Sequence, residues 1–282
     1  MKSLSDTTGD YLTYEEDEKL RDHCGVVGVY LSDHETNASR LAYYGLQSLQ
    51  HRGQESTGIA VSDGEKVEHY KKMGLVADVY NHETLAPLKG YIAIGHVLYS
   101  TSGHATIENA QPFVSRSKLG TLAVAHNGSL VNAEPMKEFL EETGSTFTSA
   151  SDTEVIIKLI AKNYKKGLEK ALTDTIQLIR GSFALAVMTE KTLIGARDPN
   201  GIRPLCLGKL PNGWILASES CAIDAMGGDL VRDIEPGEIV IINDDGVLSF
   251  NFGEKTARKN CIFEYVYFAR PDSIMDNINV LE

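Results

Sequence analysis

The sequence predicts a layered α+β domain, antiparallel β-sheet covered by helices, over about residues 24–255. Short apolar runs rich in β-branched residues recur from Cys24 onward, and hairpin-type dipeptides separate many of them. A few stretches switch to helical spacing, each with an apolar stripe that needs a sheet to cover it. With 282 residues, 42% of them hydrophobic, the chain can bury a core of that kind.

In chain order, residues 1–23 come first and look unlike the rest. They carry seven acidic and three basic residues, few apolar ones and no sustained alternation, so they read as a leader outside the fold. The strand candidates are "CGVVGVYL" (24–31), "TGIAVSD" (57–63), "YIAIGHVLYST" (91–101), "GTLAVAHNGSLV" (120–131), "SFALAVMT" (182–189), "TLIGARD" (192–198), "GWILASES" (213–220) and "GEIVIIND" (237–244). Asp63-Gly64, Asn127-Gly128, Asn200-Gly201, Asn212-Gly213 and Asp245-Gly246 supply turn chemistry, which makes the strands hairpin-linked and antiparallel. Helical stripes run through Ala42, Leu46 and Leu49, through Val155, Ile156, Leu159 and Ile160, and through Leu168, Leu172, Ile176 and Ile179.

Composition excludes several function classes. A net charge of -12 disfavours nucleic acid or an anionic membrane as partner. No apolar run approaches membrane-spanning length and the acidic N-terminus lacks the features of a secretory signal, so the cytoplasm is the expected location. Cysteines at 24, 206, 221 and 261 show neither disulfide-framework nor metal spacing, and no metal site is expected.

Four segments carry candidate chemistry. Cys24 is either a small buried hydrophobe opening a strand or, with residues 1–23 removed, a nucleophile whose own α-amino group serves as the base. "QHRGQESTGIAV" (50–61) places Arg52 and Gly53 at a helix-to-strand junction, which is either a helix cap with a solvated arginine or the border of a site. Asn127 and Gly128 read equally as a tight hairpin or as an amide and backbone N–H pair aimed at an oxyanion. "SDTE" (151–154) matches a capping box, and it fixes Asp152 in a first helical turn, where it could bind an α-ammonium group.

Taken jointly, "LQHRGQESTGIAV", "GHVLYSTSGH", "AHNGSLVNA", "SDTEVI", "GARDPNGIRPLCLG", "ASESCAID" and "FEYVYFARPDS" resemble the N-terminal glutamine-hydrolysing part of the amidophosphoribosyltransferase family. The resemblance runs from Cys24 to about residue 279. It implies a class II glutamine amidotransferase with the N-terminal-nucleophile hydrolase fold, four αββα layers with two antiparallel sheets between helical layers. It further implies Cys24 as nucleophile, Asn127 and Gly128 as the oxyanion hole, Asp152 on the glutamine α-amino group, and Arg52, Gly53 and Thr101 bordering the pocket. The substrate it implies is L-glutamine, in the first step of de novo purine synthesis.

Two departures from the family pattern bear on function. Leu98 stands in "GHVLY" where the family carries an arginine expected to grip the glutamine α-carboxylate, so efficient glutamine use is not expected. Nothing resembling the family's phosphoribosyltransferase domain follows, so residues 256–282 read as a linker towards an absent domain, and phosphoribosyl pyrophosphate and Mg2+ would be handled only by that domain. Some members hold an iron–sulfur cluster, and Cys261 resembles one ligand, but no cofactor is expected in this chain; self-association as a homo-oligomer is compatible with the reading.

Overall fold

The computed structural model describes residues 24–99, 106–252 and 257–281, so the leader and Thr101 lie outside the described residues. In chain order the strands are β1 (Gly25–Leu31), β2 (Ser56–Ser62), β3 (Val67–Met73), β4 (Ile92–Leu98), β5 (Phe113–Ser117), β6 (Gly120–Leu130), β7 (Gly181–Met188), β8 (Leu193–Arg197), β9 (Cys206–Leu210), β10 (Gly213–Ala217), β11 (Asp229–Asp233), β12 (Glu238–Asn243), β13 (Gly246–Asn251), β14 (Ile274–Met275) and β15 (Ile278–Asn279). The helices are α1 (Ala38–Ser48), α2 (Val76–Val79), α3 (His82–Leu85), α4 (Ala133–Glu142), α5 (Asp152–Asn163), α6 (Leu168–Leu178) and α7 (Ser220–Ala225).

The strands form a seven-stranded sheet ordered β11-β9-β10-β1-β4-β2-β3 and a six-stranded sheet ordered β13-β12-β8-β7-β6-β5, every pairing antiparallel. Helices α1 and α7 cover the first sheet, and α4, α5 and α6 cover the second. This is the αββα layering expected of the family.

The period-2 alternation of each strand explains why the sheets stack. On β6, Ala123 and Ala125 join the core shared with the first sheet, whereas Leu122 and Val124 join the core under α5 and α6. On β7, Ala184 and Ala186 face inward and Leu185 and Val187 face the helices. Small residues thus meet between the sheets; a Cβ on Gly28 would lie 2.9 Å from Leu193 Cδ1. Each fully buried aliphatic side chain contributes roughly 1.5–3 kcal/mol.

The Asn127-Gly128 turn expected from the sequence does not exist. Both residues lie inside β6, opposite Ala184 and Phe183 of β7. Hairpin loops elsewhere include Pro211-Asn212 between β9 and β10, and Asp244-Asp245 between β12 and β13. The segment after β13 also departs from the expected linker: residues 264–268 form a helical turn, and Glu264, Ser273 and Asp276 are buried or engaged against the domain. Asp276 pairs with Arg197, whose other N–H groups donate to the carbonyls of Gly201, Arg203 and Ile234, so "GARDPNGIRPL" is structural. Among the described residues no helix is long and apolar enough to cross a membrane.

Candidate functional site

The site forms where four elements begin or end. Cys24 immediately precedes β1, Leu98 closes β4, Gly128 to Leu130 run to the end of β6, and Ser151 and Asp152 open α5. With Tyr99, Asn109, Gln111 and His126 these residues line a cavity of about 240 Å³. Wider concavities of about 420 Å³ beside α1 and about 430 Å³ beside β5 contain no cysteine.

One edge of β6 explains the arrangement. Strand β5 pairs with β6 only as far as Phe113 opposite Val124. Beyond that point side chains replace the missing strand: Gln111 Oε1 accepts the His126 N–H at 2.7 Å, and Asp152 Oδ2 accepts the Leu130 N–H at 2.9 Å. Alternate N–H groups of a strand point to the same edge, so the Gly128 N–H lies between those two and faces the cavity. Only glycine fits there, because φ is +146° and a Cβ would lie 2.1 Å from the Ser182 carbonyl oxygen. Asn127, just behind the lining, is fully buried, and neither its Oδ1 nor its Nδ2 has a protein partner. Leaving a buried polar group unpaired costs on the order of 1–3 kcal/mol, so such a group points to a ligand.

Asp152 is the first residue of α5, but the expected capping box is not formed. Ser151 Oγ accepts the Thr153 N–H at 3.2 Å, while Glu154 turns away and accepts from the backbone and side chains of Thr148 and Ser149. Burial opposes ionisation of Asp152; His126 nearby and N–H donors from Leu130 and Thr153 outweigh it and hold the carboxyl below its usual range. The position at a helix N-terminus acts in the same direction.

Sequence reasoning missed His126, Gln111 and His96. His126 Nδ1 lies 3.2 Å from Thr153 Oγ1 and 3.4 Å from Asp152 Oδ1, and its buried Nε2 has no protein partner. His96 Nε2 bonds the His126 carbonyl at 3.0 Å, and burial pushes His96 down to about 3. His126 was legible only as the neighbour of Asn127, since a lone histidine in a strand has no spacing signal.

Cys24, Leu98, Gly128 and Asp152 therefore converge, with Asn127 beside them. Arg52 and Gly53 do not border the cavity. Arg52 is fully buried and its three nitrogens are engaged by Cys24 O, Glu219 and Glu264. Gly53 packs against the backbone of Val97 and Leu98, where a Cβ would come within 2.6 Å of Val97 C. Cys261 lies by the C-terminal turn, whereas Cys206 and Cys221 are buried in the core and Cys24 lines the cavity, a distribution that does not fit an iron–sulfur cluster. Among the described residues no three His, Cys, Asp or Glu are placed to hold a metal ion.

A thiol, a backbone N–H on an open strand edge and a carboxylate around one small cavity suit acyl transfer from an amide that carries an ammonium group. Comparison with known proteins agrees. Residues 99–225 match the model of a glutamine amidotransferase domain. Amidophosphoribosyltransferase from Archaeoglobus fulgidus is 49% identical over 91% of this chain and 56% of its own length; the Bacillus subtilis protein is 46% identical over 93% and 54%. The solved structure of glutamine phosphoribosylpyrophosphate amidotransferase from B. subtilis complexed with ADP and GMP superposes with a TM-score of 0.86 at 45% identity, covering 91% of this chain and 55% of that one. The chain spans about half the length of the curated relatives it matches. It belongs, as a glutamine amidotransferase domain, to the amidophosphoribosyltransferase family.

Proposed function

We propose that the chain hydrolyses the side-chain amide of L-glutamine through Cys24. The thiolate attacks the amide carbon, and the oxyanion develops towards the Gly128 N–H and the Asn127 amide. Ammonia leaves, and water hydrolyses the Cys24 thioester to glutamate. Asp152 takes the substrate ammonium. The base is the Cys24 α-amino group once residues 1–23 are removed. In a longer protein of this family the ammonia would pass to phosphoribosyl pyrophosphate on a further domain.

The observation that carries this reading is the convergence of Cys24, Gly128 and Asp152 on one cavity. Intact mass before and after treatment with a glutamine-like diazoketone tests it. A single adduct on a chain that begins at Cys24, with glutamate release from glutamine, is the expected result; a full-length chain that takes no adduct overturns it. Leu98 favours a second reading. It lines the cavity, and among the described lining residues there is no lysine or arginine to meet an α-carboxylate. Amides whose α-carboxyl is blocked would then be used as well as glutamine.

A further inference from the structure

Arg52 lies at the meeting point of four separate stretches of the chain. Its Nε donates to the Cys24 carbonyl oxygen at 3.0 Å, Nη1 to Glu219 at 2.6 Å and Nη2 to Glu264 at 2.6 Å. These partners are 28, 167 and 212 residues away in sequence. Glu219 precedes α7 and also accepts from the Arg270 N–H and Ser273 Oγ, with His51 Nε2 at 2.9 Å. Glu264 comes from the C-terminal turn and also pairs with Arg203 at 2.9 Å. Two arginines against two glutamates leave this buried cluster without formal excess charge.

Such a cluster needs a reason beyond stability. Desolvating ions is expensive, and well-packed apolar side chains of similar volume often stabilise a fold as well or better. What apolar side chains cannot do is aim a donor. A guanidinium presents its N–H groups in a rigid planar fork, so fixing two nitrogens on carboxylates fixes the direction of the third. Here the third is directed at the backbone of the residue that carries the thiol.

On its other side Cys24 leads into β1, where Val26 exchanges hydrogen bonds with Ser218: its N–H reaches Ser218 Oγ at 2.9 Å and its carbonyl accepts the Ser218 N–H at 3.0 Å. Strand pairing thus places Val26, and Arg52 places the carbonyl of the residue two before it. We infer that Arg52 is a positioning residue for the Cys24 thiol, locked by Glu219 and by Glu264, so that the carboxylate Glu264 brings from the C-terminal turn, and not the remaining contacts of the 257–281 segment, sets the geometry of the nucleophile. This rests on the reading of Cys24 as nucleophile.

The test compares the whole chain with Arg52→Lys, Glu264→Gln and Asp276→Asn. Lysine keeps the positive charge but cannot reach three partners. Asp276→Asn loosens the same C-terminal segment at Arg197 without touching Arg52. Two readouts are taken: the concentration dependence of diazoketone labelling of Cys24, and hydrogen exchange of the peptide covering residues 24–31. The expected result is a maximal labelling rate at least 10-fold lower in Arg52→Lys and Glu264→Gln, with half-saturation within about 2-fold. Exchange should be faster at residues 25–27 in those two variants, and Asp276→Asn should match the parent in both readouts.

Wild-type labelling rates in Arg52→Lys and Glu264→Gln, or an equal loss in Asp276→Asn, overturn the inference. A parent that is not labelled at all overturns the proposed function instead; exchange then still decides the clamp, and unchanged exchange in both clamp variants refutes it.

Discussion

Placing a cation at position 98 tests the substrate reading most directly. Leu98 is buried at the end of β4, opposite Ser56, and lines the cavity with Asp152 as the one charged side chain among the described lining residues. In Leu98→Arg a guanidinium would enter the cavity that, on the proposed function, takes the substrate ammonium at Asp152. A partly buried charge pair is worth about 2–5 kcal/mol when one partner is supplied or removed, or about 30-fold to several thousand-fold in affinity. Two terms reduce that gain. The guanidinium must be desolvated, and without substrate it has Asp152 within the same cavity to attract it. We therefore expect the lower end, about 2 kcal/mol or thirty-fold in KM for glutamine. The assay is glutamate release from glutamine against amide hydrolysis of glutaminamide, whose α-carboxyl is blocked. Glutamine should gain, glutaminamide should not, and kcat should change little. An unchanged KM for glutamine, or an equal gain for both substrates, would refute the assignment of position 98 to the carboxylate end of the substrate.

Two further outcomes follow from the same geometry. Asn127→Ala should lower kcat by about 10²–10³ with KM within a few-fold, because the amide acts only as the oxyanion develops; steady-state kinetics check it, and an unaltered kcat removes Asn127 from that role. His96 makes stability depend on pH. Its folded-state value is pushed down to about 3 by burial, so below an unfolded value near 6.5 the unfolded chain binds the extra proton. Its contribution is present above pH 6.5 and is lost at about 1.4 kcal/mol per pH unit as pH falls towards 3. Urea titrations across that range should show the slope, and His96→Gln, which keeps a donor for the His126 carbonyl, should flatten it.

Much of the fold was legible because burial imposes a pattern. Of the nine interior strands of the two large sheets, β1, β2, β4, β6, β7, β8, β10 and β12 are largely buried and each coincides with an expected apolar run, whereas the short β9 has none. The other missed strands include β3, β5, β11 and β13, which are the four edges of the two large sheets. Edge strands face water and carry charge, as in "VEHYKKM" of β3, so they resemble loops in composition. Helix α4 was missed for a related reason, since Leu140 is its one fully buried side chain.

The site divides along the same line. Sequence by itself determined which residue types were available: a thiol at 24, an Asn-Gly pair at 127–128 and a carboxylate at the start of a helix at 152. It also determined the apolar character of position 98. Only tertiary structure decided that Asn127-Gly128 is a strand edge and not a turn, because β5 stops at Phe113 and leaves that edge to Gln111 and Asp152. Arg52 moved from the cavity border to the layer behind it for a similar reason. Its partners Glu219 and Glu264 are 167 and 212 residues away, and no local pattern announces which carboxylates will meet a given guanidinium once the chain has folded. Local propensity writes elements into a sequence; the pairing of buried charges across it is settled only by the need to leave none of them alone.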